Sequence, residues 1–238
     1  MPLLSPSNVL SRSLVAEGLG SMLLAATVIG FGVMADRLAG GNLAVALLAN
    51  TAATVAVLAT LIALLGPISG AHFNPAVSLV EALRGKLTPR QTVAYVIVQI
   101  TGCCLGALLA HAMFELPLLQ ASVHLRTGPA QWLSEAVATA GLILVVVGSA
   151  GPNEAAWRVP AWIGAAYWFT ASTSFANPAI TIARSASNTF AGIAPAHVAG
   201  FIVSQLCGAV VGLLLARFLL SASKHVATSN VESPTRSL

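Results

Sequence analysis

The chain has 238 residues, of which 57% are hydrophobic and only 8% are charged, and its mean hydropathy is +0.86. Soluble domains contain about 25% charged residues, so the composition excludes a soluble globular protein and indicates an integral membrane protein in the lipid bilayer. The net charge of +4 is too small to suggest a nucleic-acid partner, and none is expected.

The apolar segments, taken in chain order, predict an all-α membrane protein with six spans and two half-spans. A span needs about 20 mostly apolar residues. Full spans are predicted near 13–35, 43–65, 91–112, 132–150, 158–173 and 195–219, and the fifth is short. Two further apolar segments, 74–84 and 177–187, cover only about half of the hydrocarbon thickness. Such segments are tolerated at membrane depth only when they are buried in protein or line a water-filled cavity.

The two halves of the sequence resemble each other. Three residues of the third span match three of the sixth: Gln99, Gly102 and Gly106 match Gln205, Gly208 and Gly212. Glu17, early in the first span, likewise matches Glu135, early in the fourth. Because each half contains an odd number of spans, the second half must be inverted relative to the first. Inverted repeats place a substrate path near the bilayer midplane.

The basic residues predict the orientation, because cytoplasmic loops are enriched in Lys and Arg. One side would hold Arg12, Arg84, Lys86, Arg90, Arg158, Arg217, Lys224 and Arg236, and the other only Arg37, Arg126 and Arg184. Both termini are therefore predicted to be cytoplasmic. The resulting domain plan is a cytoplasmic N-terminus (1–12), a channel domain (13–220, with halves of about 13–112 and 132–219) and a disordered cytoplasmic tail (221–238).

Each half-span begins with the same tripeptide, Asn74-Pro75-Ala76 in the first half and Asn177-Pro178-Ala179 in the second. Asn is a favoured N-cap residue and Pro is favoured at the first helical position, so each tripeptide predicts a helix start. In an inverted repeat the two half-helices meet with their positive dipole ends at mid-membrane. That field opposes cations and protons but not a neutral solute bearing hydroxyl groups.

The stretch Ser69-Gly70-Ala71-His72-Phe73-Asn74-Pro75-Ala76-Val77 resembles the first signature loop of the aquaporin and aquaglyceroporin, or major intrinsic protein, family. The resemblance covers roughly residues 12–220. It implies one pore per protomer and a homotetramer in the inner membrane. Because the sequence shows no metal-ligand cluster and no nucleophile–base pair, no cofactor, metal or enzymatic activity is expected. The resemblance also implies that Ser69, Gly70, Ala71 and His72 line the cytoplasmic half of the pore. Glu17 and Glu135 would accept hydrogen bonds from the loops before the half-helices.

The sequence departs from the family pattern at the outer filter, where most members carry Arg directly after the second tripeptide. Here that residue is Ile180. Gapless counting from the two asparagines places Thr54, Ala165 and Ser174 at the other filter positions. Arg184 lies one turn after Ile180 and could point into the outer vestibule. Alternatively, its side chain could extend to the outer membrane–water interface or pair with a loop carbonyl.

The resemblance implies a passive channel for small uncharged solutes. An Arg-free filter resembles a bacterial subgroup associated with arsenic resistance, so the expected solutes are glycerol-like polyols, arsenous acid and related metalloids, together with water. Two alternatives stay open: a water-selective channel whose filter is rebuilt by Arg184, Tyr167 or Trp168, and a coupled secondary transporter.

Several further residues have a functional and a structural interpretation. His72 could gate the pore on protonation but is predicted to be a static pore-lining residue. Cys103 and Cys104 could bind a metalloid but are predicted to be packing residues. His124 and Arg126, in the long outer loop between the third and fourth spans, could shape the vestibule but are predicted to be solvated.

Overall fold

The computed structural model describes the backbone of residues 6–229 and the side chains of residues 8–220, and this part of the chain forms eight α-helices and no β-strand. In chain order the helices are α1 (Pro6–Leu38), α2 (Leu43–Ser69), α3 (Pro75–Leu83), α4 (Pro89–Met113), α5 (Pro129–Gly148), α6 (Pro152–Phe169), α7 (Pro178–Ser185) and α8 (Val198–Ser229). A single turn of 3₁₀ helix, Pro195–His197, precedes α8.

The six predicted spans and two half-spans all correspond to helices. Within the described residues, α1, α2, α4, α5 and α8 are long and apolar enough to cross a membrane. Helices α3 and α7 have nine and eight residues, which at 1.5 Å per residue is less than half of a bilayer core.

Helix α6 differs most from the sequence prediction, which placed the fifth span at 158–173. It has 18 residues and starts six residues earlier, at Pro152. Its first turns are polar, and Glu154 forms an ion pair with Arg158 one turn later at 2.6 Å. Hydropathy therefore misplaced the helix, because its first turns are helical without being apolar.

The ends of the chain also differ from the predicted domain plan. Helix α1 begins at Pro6, inside the segment predicted as a cytoplasmic N-terminus. Helix α8 continues to Ser229, so the first nine residues of the predicted disordered tail are helical. Residues 1–5 and 230–238 lie outside the described part of the chain.

The repeat glycines allow two pairs of helices to approach closely, α1 with α4 and α5 with α8. A Cβ atom at Gly102 would lie 2.3 Å from the carbonyl oxygen of Gly18, and one at Gly208 would lie 2.2 Å from that of Ala136. The repeat glycines one turn later are equally close to backbone. Small residues of this kind permit tight helix packing in membranes, so each half has the same helix pair at its core.

We expect Gly102→Ala to destabilise the protein by roughly 1–3 kcal/mol, the usual cost of overpacking, because the opposing atom is backbone. Gly148→Ala is the matched control, since its Cβ would meet only a side-chain carbon of Leu220 at 3.6 Å. The measurement is the temperature of half-unfolding in detergent. Equal midpoints for the two variants would show that the close approach at Gly102 is not required.

Candidate functional site

The two asparagines both start the half-helices and join them. Each side-chain oxygen accepts a hydrogen bond from the backbone N–H two residues later, at 2.9 Å for Asn74 and 3.0 Å for Asn177. The Asn74 amide nitrogen donates to the carbonyl of Ala176 at 2.7 Å, and that of Asn177 donates to the carbonyl of Phe73 at 2.8 Å. The positive ends of α3 and α7 therefore meet, and each asparagine amide keeps a second N–H.

The Glu17 carboxylate organises the loop before α3. One oxygen accepts hydrogen bonds from Ser69 Oγ at 2.7 Å and from the backbone N–H of His72 at 2.9 Å. The other accepts from the backbone N–H of Phe73 and from Gln99 Nε2, both at 2.8 Å. Four donors satisfy this fully buried carboxylate, as a buried charge requires.

Glu135 has the corresponding role in the second half. Its carboxylate accepts from the backbone N–H groups of Phe175 at 2.8 Å and Ala176 at 2.9 Å, and from Gln205 Nε2 at 2.6 Å. The matched glutamates and glutamines of the sequence repeat therefore hold the two loops in the same way.

The loops also share backbone conformations that the sequence did not indicate. Ala71 and Phe73 have φ angles of 50° and 48°, and Ser174 and Ala176 have 49° and 47°. Left-handed conformations at non-glycine residues cost roughly 1–3 kcal/mol each and persist only when the surroundings impose them. Here the glutamates bond the backbone N–H of Phe73 and Ala176 directly. No residue type in this sequence signals a positive φ at these positions.

A cavity of about 340 Å³ runs past both asparagines. The cavity is lined by Glu81 and Lys86 at one end, which we call the Glu81 end. It is lined by Arg184 at the other, which we call the Arg184 end. The other four residues of the predicted central constriction are buried in the half-helices and do not line the cavity: Pro75, Ala76, Pro178 and Ala179.

The Glu81 end contains the four residues predicted to line one half of a pore: Ser69, Gly70, Ala71 and His72. His72 Nδ1 lies 3.1 Å from Ser78 Oγ, and its ring centroid lies 5.4 Å from that of Tyr95. These contacts fix the imidazole against the wall. Glu81 is buried and forms ion pairs with Arg84 and with Lys86, the latter at 2.7 Å.

At the Arg184 end, three of the four predicted filter residues line the cavity, namely Thr54, Ser174 and Ile180. Ala165 does not, because it lies on the exposed side of α6. Tyr167 is buried there instead and lines the cavity, with its hydroxyl 3.4 Å from Thr54 Oγ1. Two residues along a helix are about 200° apart, so gapless counting selected the wrong face.

Tyr167 and Trp168 were both considered from the sequence as residues that narrow the pore. Trp168 is 49% exposed and does not line the cavity. Cys103 and Cys104 also lie away from it in α4, where Cys103 is fully buried, so neither cysteine faces a passing solute.

The sequence left two alternatives for the Arg184 side chain, facing the pore or bonding a loop carbonyl, and in the structure it does both. Its side chain is 3% exposed and lines the cavity. Its Nε donates to the loop carbonyl of Ala191. The guanidinium lies over the Phe175 ring, with Cζ 3.3 Å from the ring centroid.

Arg126 is a residue near the site that the sequence placed in a solvated loop by default, with a role in the vestibule as the alternative. His124 of the same loop is exposed, but Arg126 is half-buried. Its guanidinium donates to the carbonyls of Gly192 at 2.8 Å, Phe190 at 3.3 Å and Ser172 at 3.4 Å. Burial lowers the pKa of Arg126, and the Glu135 carboxylate opposes this shift. A single Arg in a polar loop gives no sequence signal for such a position.

The profile of the Major intrinsic protein (MIP) family matches residues 5–173. The chain belongs to this family. Aquaglyceroporin AqpS of Rhizobium meliloti (strain 1021) is 54% identical over 219 residues, which cover 91% of this chain and 94% of that protein. The lens fiber major intrinsic protein of Gallus gallus is 34% identical over 143 residues, 58% of this chain and 53% of that protein.

A solved structure supports the fold independently. The aquaglyceroporin from Plasmodium falciparum aligns with a TM-score of 0.65 over 89% of this chain and 97% of its own, at 17% sequence identity. Membership of the major intrinsic protein family accounts for the paired half-helices and identifies the chain as a multi-pass membrane protein.

We expect Glu135→Gln to destabilise this member of the family by at least about 2 kcal/mol. The change removes a charged acceptor from two backbone N–H groups, and hydrogen bonds to charged groups contribute roughly 1.5–3 kcal/mol each. Thermal unfolding in detergent measures the effect. Glu115→Gln, at an exposed position, is the control and should unfold like the wild type; similar midpoints for both variants would contradict the role of Glu135.

Proposed function

We propose that the protein is a passive transmembrane channel for small neutral solutes, chiefly glycerol-like polyols and also water. The observation that carries the proposal is the cavity that passes both asparagines and has Ile180, rather than a cation, directly after the second tripeptide. The relative named as an aquaglyceroporin, 54% identical over most of the chain, supports polyols as the solute class.

The cavity chemistry suits a polyol. The N-terminal ends of α3 and α7 carry partial positive charge, which opposes cations at the centre. The second N–H of each asparagine amide can donate to a hydroxyl oxygen. Apolar side chains also line the cavity and suit the carbon atoms of the solute; they include Leu24, Val28, Leu58, Ile62, Leu142 and Val146.

The same reasoning extends the proposal to arsenous acid and related metalloids, because arsenous acid is uncharged at neutral pH and resembles glycerol in its hydroxyl groups. We further propose a homotetramer in the cell inner membrane with both termini cytoplasmic. The charge asymmetry of the loops supports the orientation, and the family resemblance supports the assembly.

A water-selective channel is the second candidate, and one observation favours it. Tyr167 and Arg184 both line the Arg184 end of the cavity, so an aromatic ring and a guanidinium occur together there. If they narrow the path enough, water would pass and glycerol would not.

Stopped-flow light scattering of proteoliposomes shocked with glycerol separates the two candidates. Shrinkage reports water efflux, and re-swelling reports glycerol entry. We expect both to be faster than in protein-free liposomes. Rapid shrinkage without accelerated re-swelling would overturn the polyol channel in favour of the water-selective one.

We expect Ile180→Arg to reduce glycerol permeability at least about tenfold, equivalent to about 1.4 kcal/mol of added barrier, and water permeability less. The long cationic side chain would enter the cavity that Ile180 lines. Ile180→Val, which keeps an aliphatic side chain, should retain both fluxes. Unchanged glycerol flux in Ile180→Arg would show that Ile180 is not a filter residue.

A further inference from the structure

Two guanidinium groups meet around one aromatic ring at the Arg184 end. Cζ of Arg184 lies 3.3 Å from the centroid of Phe175, and Cζ of Arg126 lies 5.2 Å from the same centroid. One arginine comes from the last turn of α7 and the other from the loop between α4 and α5. The Arg184 end therefore has two cations within a few ångströms of one ring.

Carboxylates do not fully neutralise the positive charge of these two arginines. The three ion pairs among the described residues involve neither Arg126 nor Arg184. Glu135 is the nearby carboxylate, but it bonds the backbone of Phe175 and Ala176 and the amide of Gln205. The negative end of the α7 dipole also stabilises Arg184 in part. Two cations thus face one carboxylate that touches neither, and burying such charges is costly.

Arg126 is not the group that would bind a ligand in the cavity, because it does not line the cavity and its three guanidinium nitrogens each donate to a loop carbonyl. It holds the loops and adds positive potential. Arg184 differs: its Nε is bonded to Ala191, and within residues 8–220 neither of its terminal nitrogens has a hydrogen-bond partner.

A second donor lies unpaired on the same cavity. Ser174 is 2% exposed, and its Oγ has no hydrogen-bond partner among the described residues. Both Ser174 and Arg184 line the cavity. Buried polar groups in proteins are nearly always satisfied, so the unpartnered Ser174 hydroxyl, together with the free terminal N–H groups of Arg184, points to a ligand that accepts hydrogen bonds.

We propose that Arg184 and Ser174 form a binding subsite for a small planar monoanion, such as a monocarboxylate. The two terminal nitrogens of a guanidinium match the two oxygens of a carboxylate, and the serine hydroxyl supplies a further donor. This subsite is distinct from the permeation of neutral solutes, and an anion bound there would occupy the Arg184 end of the cavity.

The probe is formate, which is added in increasing concentration to purified protein in detergent. Sodium formate replaces sodium gluconate step by step, so that the ionic strength stays constant. The readout is the temperature of half-unfolding, which rises when a ligand binds the native state and grows with the logarithm of the formate concentration once that exceeds the dissociation constant. We expect a dissociation constant on the order of 1 mM, since formate has only three non-hydrogen atoms.

Substitutions assign the effect to its donors. Arg184→Gln should weaken formate binding at least about tenfold, because the charge-assisted bidentate contact is lost. Arg184→Lys keeps the charge without the planar fork and should be intermediate. Ser174→Ala should weaken binding about threefold. Arg37→Gln is the matched control and should bind as the wild type, because Arg37 also lies over a ring (Phe114) and bonds a carbonyl but is exposed.

The titration measures binding without flux, so it tests the subsite separately from the channel. No stability increase over gluconate, or one of equal size in the wild type, Arg184→Gln and Arg184→Lys, would overturn the subsite. If Arg184→Gln does not fold, Arg184→Lys and Ser174→Ala decide. Failure of glycerol permeation together with formate stabilisation that depends on Arg184 would overturn the proposed function alone.

Discussion

The structure depends on the reciprocal hydrogen bonds between the two asparagines and the opposite loops. Each amide nitrogen reaches the carbonyl that precedes the other asparagine, at 2.7 Å and 2.8 Å. These bonds bring together two helix ends of the same sign, which would otherwise repel. The two helix ends can meet only because Glu17 and Glu135 fix the loops that supply these carbonyls. Gln99 and Gln205 in turn donate hydrogen bonds to the two glutamates.

The two halves share this framework of asparagine, glutamate and glutamine hydrogen bonds, but they differ in the side chains that line the cavity. Gln99 also donates to Ser78 Oγ at 2.8 Å, and Gln205 donates to Thr181 Oγ1 at 2.9 Å, so even the supporting hydroxyls correspond. The residues that face the cavity do not correspond in chemistry. An imidazole and an ion-paired glutamate line the Glu81 end, whereas the guanidinium of Arg184 lines the other end and that of Arg126 lies over the same Phe175 ring without lining the cavity. The framework fixes the backbone and leaves the lining side chains free to differ.

This difference explains what could be predicted from the sequence. The helix starts at Asn74 and Asn177 follow from local capping rules, and the matched glutamates and glutamines indicated the repeat. Ala165 was misassigned because counting along the chain does not determine which face of α6 turns inward. Arg126 could not be predicted, since its burial depends on carbonyls more than 40 residues away in the chain. Local signals defined the framework, and long-range packing determined the lining.

The Arg184 end separates two tasks that one residue would otherwise combine. An arginine directly after the second tripeptide would narrow the path and supply positive charge at the same level. Here an aliphatic residue holds that position, and the cation lies four residues later, about 6 Å along a helix. Thr54, Tyr167 and Ile180 line the cavity with Arg184. On the proposed function, the first three would select solutes by size, whereas the charge would act one turn further along the helix. A neutral solute can then pass the aliphatic level without displacing a guanidinium, while cations meet the positive potential of Arg184 and Arg126.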